Sequence, residues 1–414
     1  MYVIKQRNII SVLIFLVSFI FVVVSSIAVI FPALILRVFG GFEDYFDLNP
    51  FEPSALAIPF LIANGVILSL CVLHYKKIVP KPIVKSIKFI LDFEISSQLA
   101  LFVIIIIIGS YITLTIGELN NGHFETDFQI RVKSYLENFK IEESLTGGKL
   151  GITVQLFLEK ISMSIFGNYK VIPFIGSVAL LLVTYFLTAQ IAKKKFAGIV
   201  AMCLVIQSSV FYFYDTGVEY PNFWILFYLA SLYFVLRKGI LSPIFFILGA
   251  LSKPLIVVFL PMSVFFVFKS DISKKKKLFI VAAYGAIVII AILGLFVLKS
   301  STEDYDLTKF STHDFWGGIT AINTNMQTDG LILIFLLPLT IGLYLSHRRG
   351  VRHADSFMFL IFGILLSGPV LITVSNVTNM PYRLITLVTF FAIGVGILLS
   401  KNIEGPKLEK QNFN

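Results

Sequence analysis

Apolar residues run along this chain in stretches too long for the interior of a soluble domain. Residues 9–36 contain no charged side chain until Arg37 is reached. About 20 consecutive apolar residues suffice to cross a bilayer as a helix. Further apolar runs follow at residues 54–73, 99–116, 169–192, 196–213, 223–236, 241–251, 255–268, 278–297, 331–345, 356–374 and 384–399. The runs are continuous and do not alternate with period two, which excludes a transmembrane barrel. The expected fold class is therefore an all-α polytopic membrane protein with about 12 membrane segments. Composition agrees: 57% hydrophobic against 14% charged residues, at a mean hydropathy of +0.90, excludes an ordinary soluble globule. The first run is too long for the apolar core of a secretory signal and has no small-residue cleavage site after it, so it reads as an uncleaved span.

The charges orient the spans. Basic residues cluster at Lys76-Lys77 with Lys81, Lys85 and Lys88, at Lys193 to Lys195, at Arg237-Lys238, at Lys274 to Lys277, and at His347 to Arg349 with Arg352. Alternating the runs puts all of these on one side, together with Lys5, Arg7 and the C-terminal tail. Lysine and arginine favour the cytoplasmic side. A multi-pass plasma-membrane protein with both termini cytoplasmic is expected. The alternation requires residues 241–268 to turn back at Ser252-Lys253-Pro254, where the proline removes a backbone donor and disfavours helix in the residue before it. The net charge of +10 is explained by these clusters and implies no nucleic-acid partner. Cys71 and Cys203 lie in apolar runs, so neither a disulfide framework nor a zinc site is expected.

Most acidic residues fall in the external loops, and the two long ones are external. The first covers residues 118–168. Residues 126–139 place Phe128, Val132, Tyr135 and Phe139 on one face, as in a helix lying in the membrane interface. A second such helix is expected over residues 152–166, with Leu158, Ile161 and Ile165 on one face. Glu125 and Asp127 stand before and at the start of the first of these. Their plain reading is structural: Thr126 and Gln129 form a capping box, and Asp127 favours the helix N-terminus and pairs with Arg131.

The order of features resembles a known family. A span leads into an acidic residue, then two interfacial helices, then Phe166-Gly167-Asn168 and the run 169–192. Leu248-Gly249-Ala250-Leu251-Ser252-Lys253-Pro254 follows, continuing to Phe259-Leu260-Pro261. Over residues 99–400 this resembles the C-type (GT-C) glycosyltransferase superfamily, which includes protein O-mannosyltransferases and aminoarabinose transferases. The resemblance implies a core at residues 96–400, preceded by a two-span extension at 1–95 and followed by a tail at 401–414. It implies an inverting hexosyltransferase-like enzyme, drawing on a polyprenyl-phosphate sugar donor in the membrane lipids and serving a glycan, lipid or protein acceptor. Asp127, with Glu125 second, matches the first-loop carboxylate that acts as general base on an acceptor hydroxyl. A cation near the outer leaflet should stabilise the leaving phosphate; Lys253, at the hairpin tip, and Arg383, which matches the place where relatives have an Arg-Tyr pair, are the candidates for it. The chain departs from the family pattern in having Glu-Thr-Asp in place of an Asp-Glu pair, Tyr382-Arg383 in place of Arg-Tyr, and Pro221-Asn222 where relatives carry an acid.

Other positions carry weaker expectations. Asp215, Glu219, His313 and Asp314 are candidate substrate contacts, and solvated loop residues in the plainer reading. Lys253 and Arg383 also suit anchoring at the aqueous edge. Glu43, Asp44 and Asp47 form a rival acidic cluster, and Asn376 begins a glycosylation sequon. No cofactor is called for, although a carboxylate pair serves a divalent metal as well as it serves a base. Two other functions fit the layout: a transporter or flippase of lipid-linked or small solutes, and an inactive assembly subunit with degenerate motifs.

Overall fold

The computed structural model describes residues 2–40, 49–120, 153–217, 222–237, 239–297, 310–374 and 381–400. All regular structure among them is helical. The helices are α1 (Tyr2–Ile30), α2 (Ala57–Tyr75), α3 (Lys81–Asp92), α4 (Ser97–Thr115), α5 (Thr153–Phe166), α6 (Val171–Ala192), α7 (Lys195–Ile206) and α8 (Ser209–Tyr214). They continue as α9 (Asn222–Arg237), α10 (Ser242–Ala250), α11 (Leu260–Lys269), α12 (Lys274–Val297), α13 (Thr312–Asn325), α14 (Gly330–Arg348), α15 (Ala354–Val374) and α16 (Ile385–Leu398). Among the described residues, seven helical segments are long and apolar enough to cross a membrane, and four shorter apolar helices accompany them.

Local chemistry sets the breaks. The first apolar run does not remain one helix: Pro32 forces Phe31 out of the helical region (φ −129°), and a turn at Pro32–Ile35 and a π-turn at Leu36–Gly40 follow. The run 196–213 is likewise cut, because Ser208 leaves α7 and caps α8, its hydroxyl accepting from Phe211 N. Asp329 reinforces this cap. It accepts from Ser208 Oγ at 2.6 Å, Ser209 N at 2.7 Å and Val210 N at 3.1 Å.

The interior is built from α6, α7, α9, α15 and α16, whose side chains are the most enclosed. Between apolar helices in a bilayer, close backbone approach supplies the attraction that water would otherwise supply. Gly396 of α16 shows it: a Cβ there would lie 2.8 Å from the Ala197 carbonyl oxygen and 2.3 Å from Thr188 Cγ2. By contrast α2 and α4 expose Ile58, Leu61, Leu101, Phe102 and Ile105, the lipid-facing pattern. Helix α1 packs along α13, α14 and α15, and α2 packs on α14. Ser11, Ser18 and Ser25, seven residues apart, are all buried on the inner face of α1, a heptad spacing of small residues that lets helices approach.

The basic clusters that the structure describes meet at one end. Lys194 Nζ donates to the Ile90 and Leu91 carbonyls at 3.3 and 2.7 Å, capping α3. Lys195 N donates to Glu94 Oε1 at 3.1 Å. Gly239 approaches the side chain of Lys276, and Arg352 forms an ion pair with Asp271. Between α14 and α15 the same end holds a buried charge cluster. Asp355, wholly buried, is ion-paired with Lys269, accepts from Ser11 Oγ at 2.6 Å and lies 3.5 Å from His347 Nδ1. Burial, with Arg352, Lys269 and Lys277 nearby, pushes the neighbouring His353 down to about 3, so it is neutral, and it stacks on Phe266 at 4.2 Å. Helix α3 lies at this end too, with its Ile83, Ile87, Phe89 and Ile90 exposed as in an interfacial helix.

The helices α10 and α11 form the hairpin expected from Ser252-Lys253-Pro254. Helix α10 starts beside Gly239 at the basic end, and α11 returns to it at Lys269. The nine residues of α10 rise only ~14 Å, about half of the hydrocarbon core. A 3₁₀ turn at Pro254–Phe259 completes the return limb and leaves Lys253 at the tip, at the end opposite the basic clusters.

Candidate functional site

The hairpin tip meets the last span. Lys253, extended at φ −161°, precedes the 3₁₀ turn. Pro381–Leu384 forms another 3₁₀ turn just before α16 and presents Tyr382 and Arg383. The Lys253 ammonium lies 4.8 Å from the Tyr382 ring centroid, and the Arg383 guanidinium lies 6.0 Å from the same centroid. Tyr214 at the end of α8 packs edge-on against this ring at 5.8 Å. Two cations separated by 129 residues of sequence thus share one aromatic side chain. Arg383 is half-buried, and its Nε is buried without a hydrogen-bond acceptor. Behind it is a small cavity of about 10 Å³, bounded by Leu255, Ile322, Ile364 and Ser367, about the size of one water molecule. No carboxylate among the described residues forms an ion pair with Arg383.

Next to Tyr214 comes Asp215, and its setting differs from a solvated loop residue. It is wholly buried. Tyr111 of α4 donates its hydroxyl to Asp215 Oδ2 at 2.5 Å, and Ser177 of α6 donates to the Asp215 backbone carbonyl at 2.8 Å. The aspartate therefore ties the turn after α8 to α4 and α6. Burial raises the carboxyl from its ordinary range to about 7, and the Glu118 charge adds to this. The hydrogen bond from Tyr111 acts in the opposite direction.

Helix α5 closes this end. The backbone N–H of Val154 donates to the Leu251 carbonyl at 3.1 Å, docking the helix on the hairpin tip. Its position matches the expected second interfacial helix, and polar side chains turn toward the protein while apolar ones stay exposed. Thr153, Leu156, Glu159 and Ser162 are buried, whereas Ile165, Phe166 and Phe157 are exposed. Gln155 Nε2 donates to Glu159 Oε1 at 3.1 Å. Ser162 Oγ donates to the Asn168 carbonyl at 2.6 Å and accepts from Ile172 N at 3.0 Å, fixing the corner into α6. The buried Lys170 donates to the Glu118 carbonyl at 3.4 Å.

The sequence candidates thus divide. Lys253, Arg383 and Asp215 come to one end, joined through Tyr214 and Tyr382. His313 and Asp314 pair with each other at 3.2 Å in the first turn of α13. Nine residues, ~14 Å along the helix, separate His313 from Ile322, which borders the cavity behind Arg383. Asp127, Glu125 and Glu219, the expected interfacial helix 126–139, the rival Glu43, Asp44 and Asp47, and Asn376 lie outside the described residues. Among the described residues no three His, Cys, Asp or Glu side chains converge as a metal site. Tyr111, Tyr214 and Glu159 did not stand out in the sequence, since each sits in or beside an apolar run with no motif around it.

Comparison with known proteins finds no match: no family model matches the chain, and neither a curated protein nor a solved structure matches it.

Proposed function

We propose that this chain is a glycosyltransferase that moves a sugar from a polyprenyl-phosphate donor to an acceptor at the membrane face opposite its basic clusters. By the positive-inside rule that face is extracytoplasmic. The observation that carries the reading is the pair of cations, Lys253 and Arg383, on the single ring of Tyr382. A buried guanidinium nitrogen without an acceptor favours an incoming anion. The site lies where a span begins, at the depth of a lipid headgroup, and a lipid-linked phosphate supplies charge there.

In the proposed reaction an acceptor hydroxyl oxygen attacks the anomeric carbon and forms the new glycosidic bond. The bond from that carbon to the phosphate oxygen breaks, and the polyprenyl phosphate leaves with the electron pair. Lys253 and Arg383 stabilise the charge that develops on the phosphate. The acceptor proton passes to a carboxylate, for which Asp127 is the first assignment and Glu125 the second. Attack from the side opposite the leaving group inverts the anomeric centre. Asp215 holds the wall of the site, with a carboxyl that titrates near neutrality.

The half-length hairpin α10–α11 favours a second reading, since broken helices also build transporter sites. One experiment separates the two. Purified wild type, Lys253→Gln, Arg383→Gln, Asp127→Asn and Glu125→Gln are reconstituted in lipid and given a panel of radiolabelled polyprenyl-phosphate sugars. Transfer by the wild type, reduced at least tenfold in Lys253→Gln and Arg383→Gln, supports the enzyme. Movement of labelled lipid between leaflets without any transfer supports the transporter.

A further inference from the structure

A second site lies at the basic end, away from the residues assigned to transfer. Between α1, α11 and α12 is a cavity of about 630 Å³, within the size range of small-molecule sites. Its walls are apolar: Ile10, Phe265, Phe268 and Leu278. Phe268 and Leu278 are 54% and 71% exposed, so they face the bilayer, not the protein interior. Its rim is cationic, with Lys269, Lys274 and Lys277. Lys269 turns toward Asp355 on the protein side, and Lys277 Nζ donates to the Phe268 carbonyl at 2.6 Å. Lys274, Lys275 and Lys276 have no acidic partner among the described residues.

We infer that this cavity binds one anionic phospholipid from the leaflet at the basic end. An acyl chain fills the apolar part, which is open to the hydrocarbon, and the headgroup phosphate meets Lys274 and Lys277. The charge pattern selects the occupant. Four consecutive lysines begin α12 with no acidic side chain in that first turn. The helix N-terminus already carries positive partial charge, so Lys274, Lys275 and Lys276 repel it and one another, and an arriving anion relieves that repulsion. A zwitterionic lipid fills the apolar part equally well but brings its own cation to the rim. Basic pockets between membrane helices are suited to anionic headgroups for this reason. The bound lipid also buttresses the base of α11, the limb whose other end carries Lys253. The site does not depend on the transfer chemistry.

Native mass spectrometry of the full chain tests this, with phosphatidylglycerol and phosphatidylcholine of matched chains added at low excess. The wild type is expected to retain one phosphatidylglycerol with about tenfold preference. Lys274→Gln/Lys277→Gln is expected to bring that preference close to parity while eluting and melting like the wild type. Lys76→Gln/Lys77→Gln, in a basic cluster outside the cavity, is expected to keep it. Equal retention of both lipids by the wild type overturns the inference. So does an intact preference in the Lys274/Lys277 variant, or an equal loss in the Lys76/Lys77 variant. If the double variant does not fold, Lys274→Gln alone decides, because that side chain has no acidic partner among the described residues to lose.

Discussion

Replacing Asp215 with asparagine is expected to stabilise the protein at alkaline pH and to leave it nearly unchanged in acid. Asp215 is wholly buried, and its carboxyl is raised from 3.8 to about 7. The folded chain therefore binds this proton more tightly than the unfolded chain does. Stability conferred by the protonated form is fully present below about pH 4 and is lost as pH rises toward about 7, after which the curve levels. At about 1.4 kcal/mol per pH unit, the full loss amounts to about 4 kcal/mol. Asparagine never ionises, and its amide oxygen still accepts from Tyr111. The asparagine variant thus avoids the cost that the wild type bears above neutrality. Thermal unfolding of both proteins in one detergent, from pH 4.5 to 8.5, measures the difference and cancels every other titrating group. A melting gap that opens in favour of Asp215→Asn as pH rises supports the placement of this carboxyl. A gap independent of pH, or one that closes as pH rises, refutes it.

Asp355→Ala, which removes the buried carboxylate partner of Lys269 and Ser11, is expected to cost about 3–5 kcal/mol. In the same melting assay, Asp355→Leu with Lys269→Met should recover much of that loss. Gly396→Ala sets a methyl group against Thr188 and the Ala197 carbonyl and is expected to cost about 1–3 kcal/mol. Gly109→Ala, where a Cβ meets nothing within 4 Å, is its neutral control. Asp329→Ala removes the carboxylate that reinforces the Ser208 cap of α8 and is expected to cost about 1–2 kcal/mol, with faster amide exchange at Ser209 and Val210 as the local readout.

Much of the architecture could be read from the sequence because the bilayer imposes a simple length rule. Apolar runs became helices, basic clusters gathered at one end, and Ser252-Lys253-Pro254 turned the half-length hairpin. Boundaries went astray where one polar atom outweighed many apolar ones, as at Ser208, which cuts a continuous run by capping α8. Helix α5 lies where an interfacial helix was expected, with Ile165 exposed, but Glu159 and Ser162, which the apolar pattern does not single out, are buried. In a bilayer the apolar face is free to meet lipid, and polar groups need protein partners. Asp215 and Asp355 were hidden for a related reason. Each stands at the edge of an apolar run, where an acid reads as solvated, and Tyr111 in one case and Lys269 in the other help to draw it inward. Those partners lie 104 and 86 residues away in sequence, beyond the reach of any local pattern.

The serine face of α1 has a consequence for biogenesis. Its hydroxyls find their partners in α15: Ser11 donates to Asp355 and Ser18 to the Met358 carbonyl, 344 and 340 residues later. At roughly 5–20 residues per second of synthesis, the interval is on the order of half a minute. During it Ser11 and Ser18 lack their partners in α15 and face lipid or a holding factor. Helix α1 is thus seated late, because α13, α14 and α15, the helices that pack along it, are synthesised long after it.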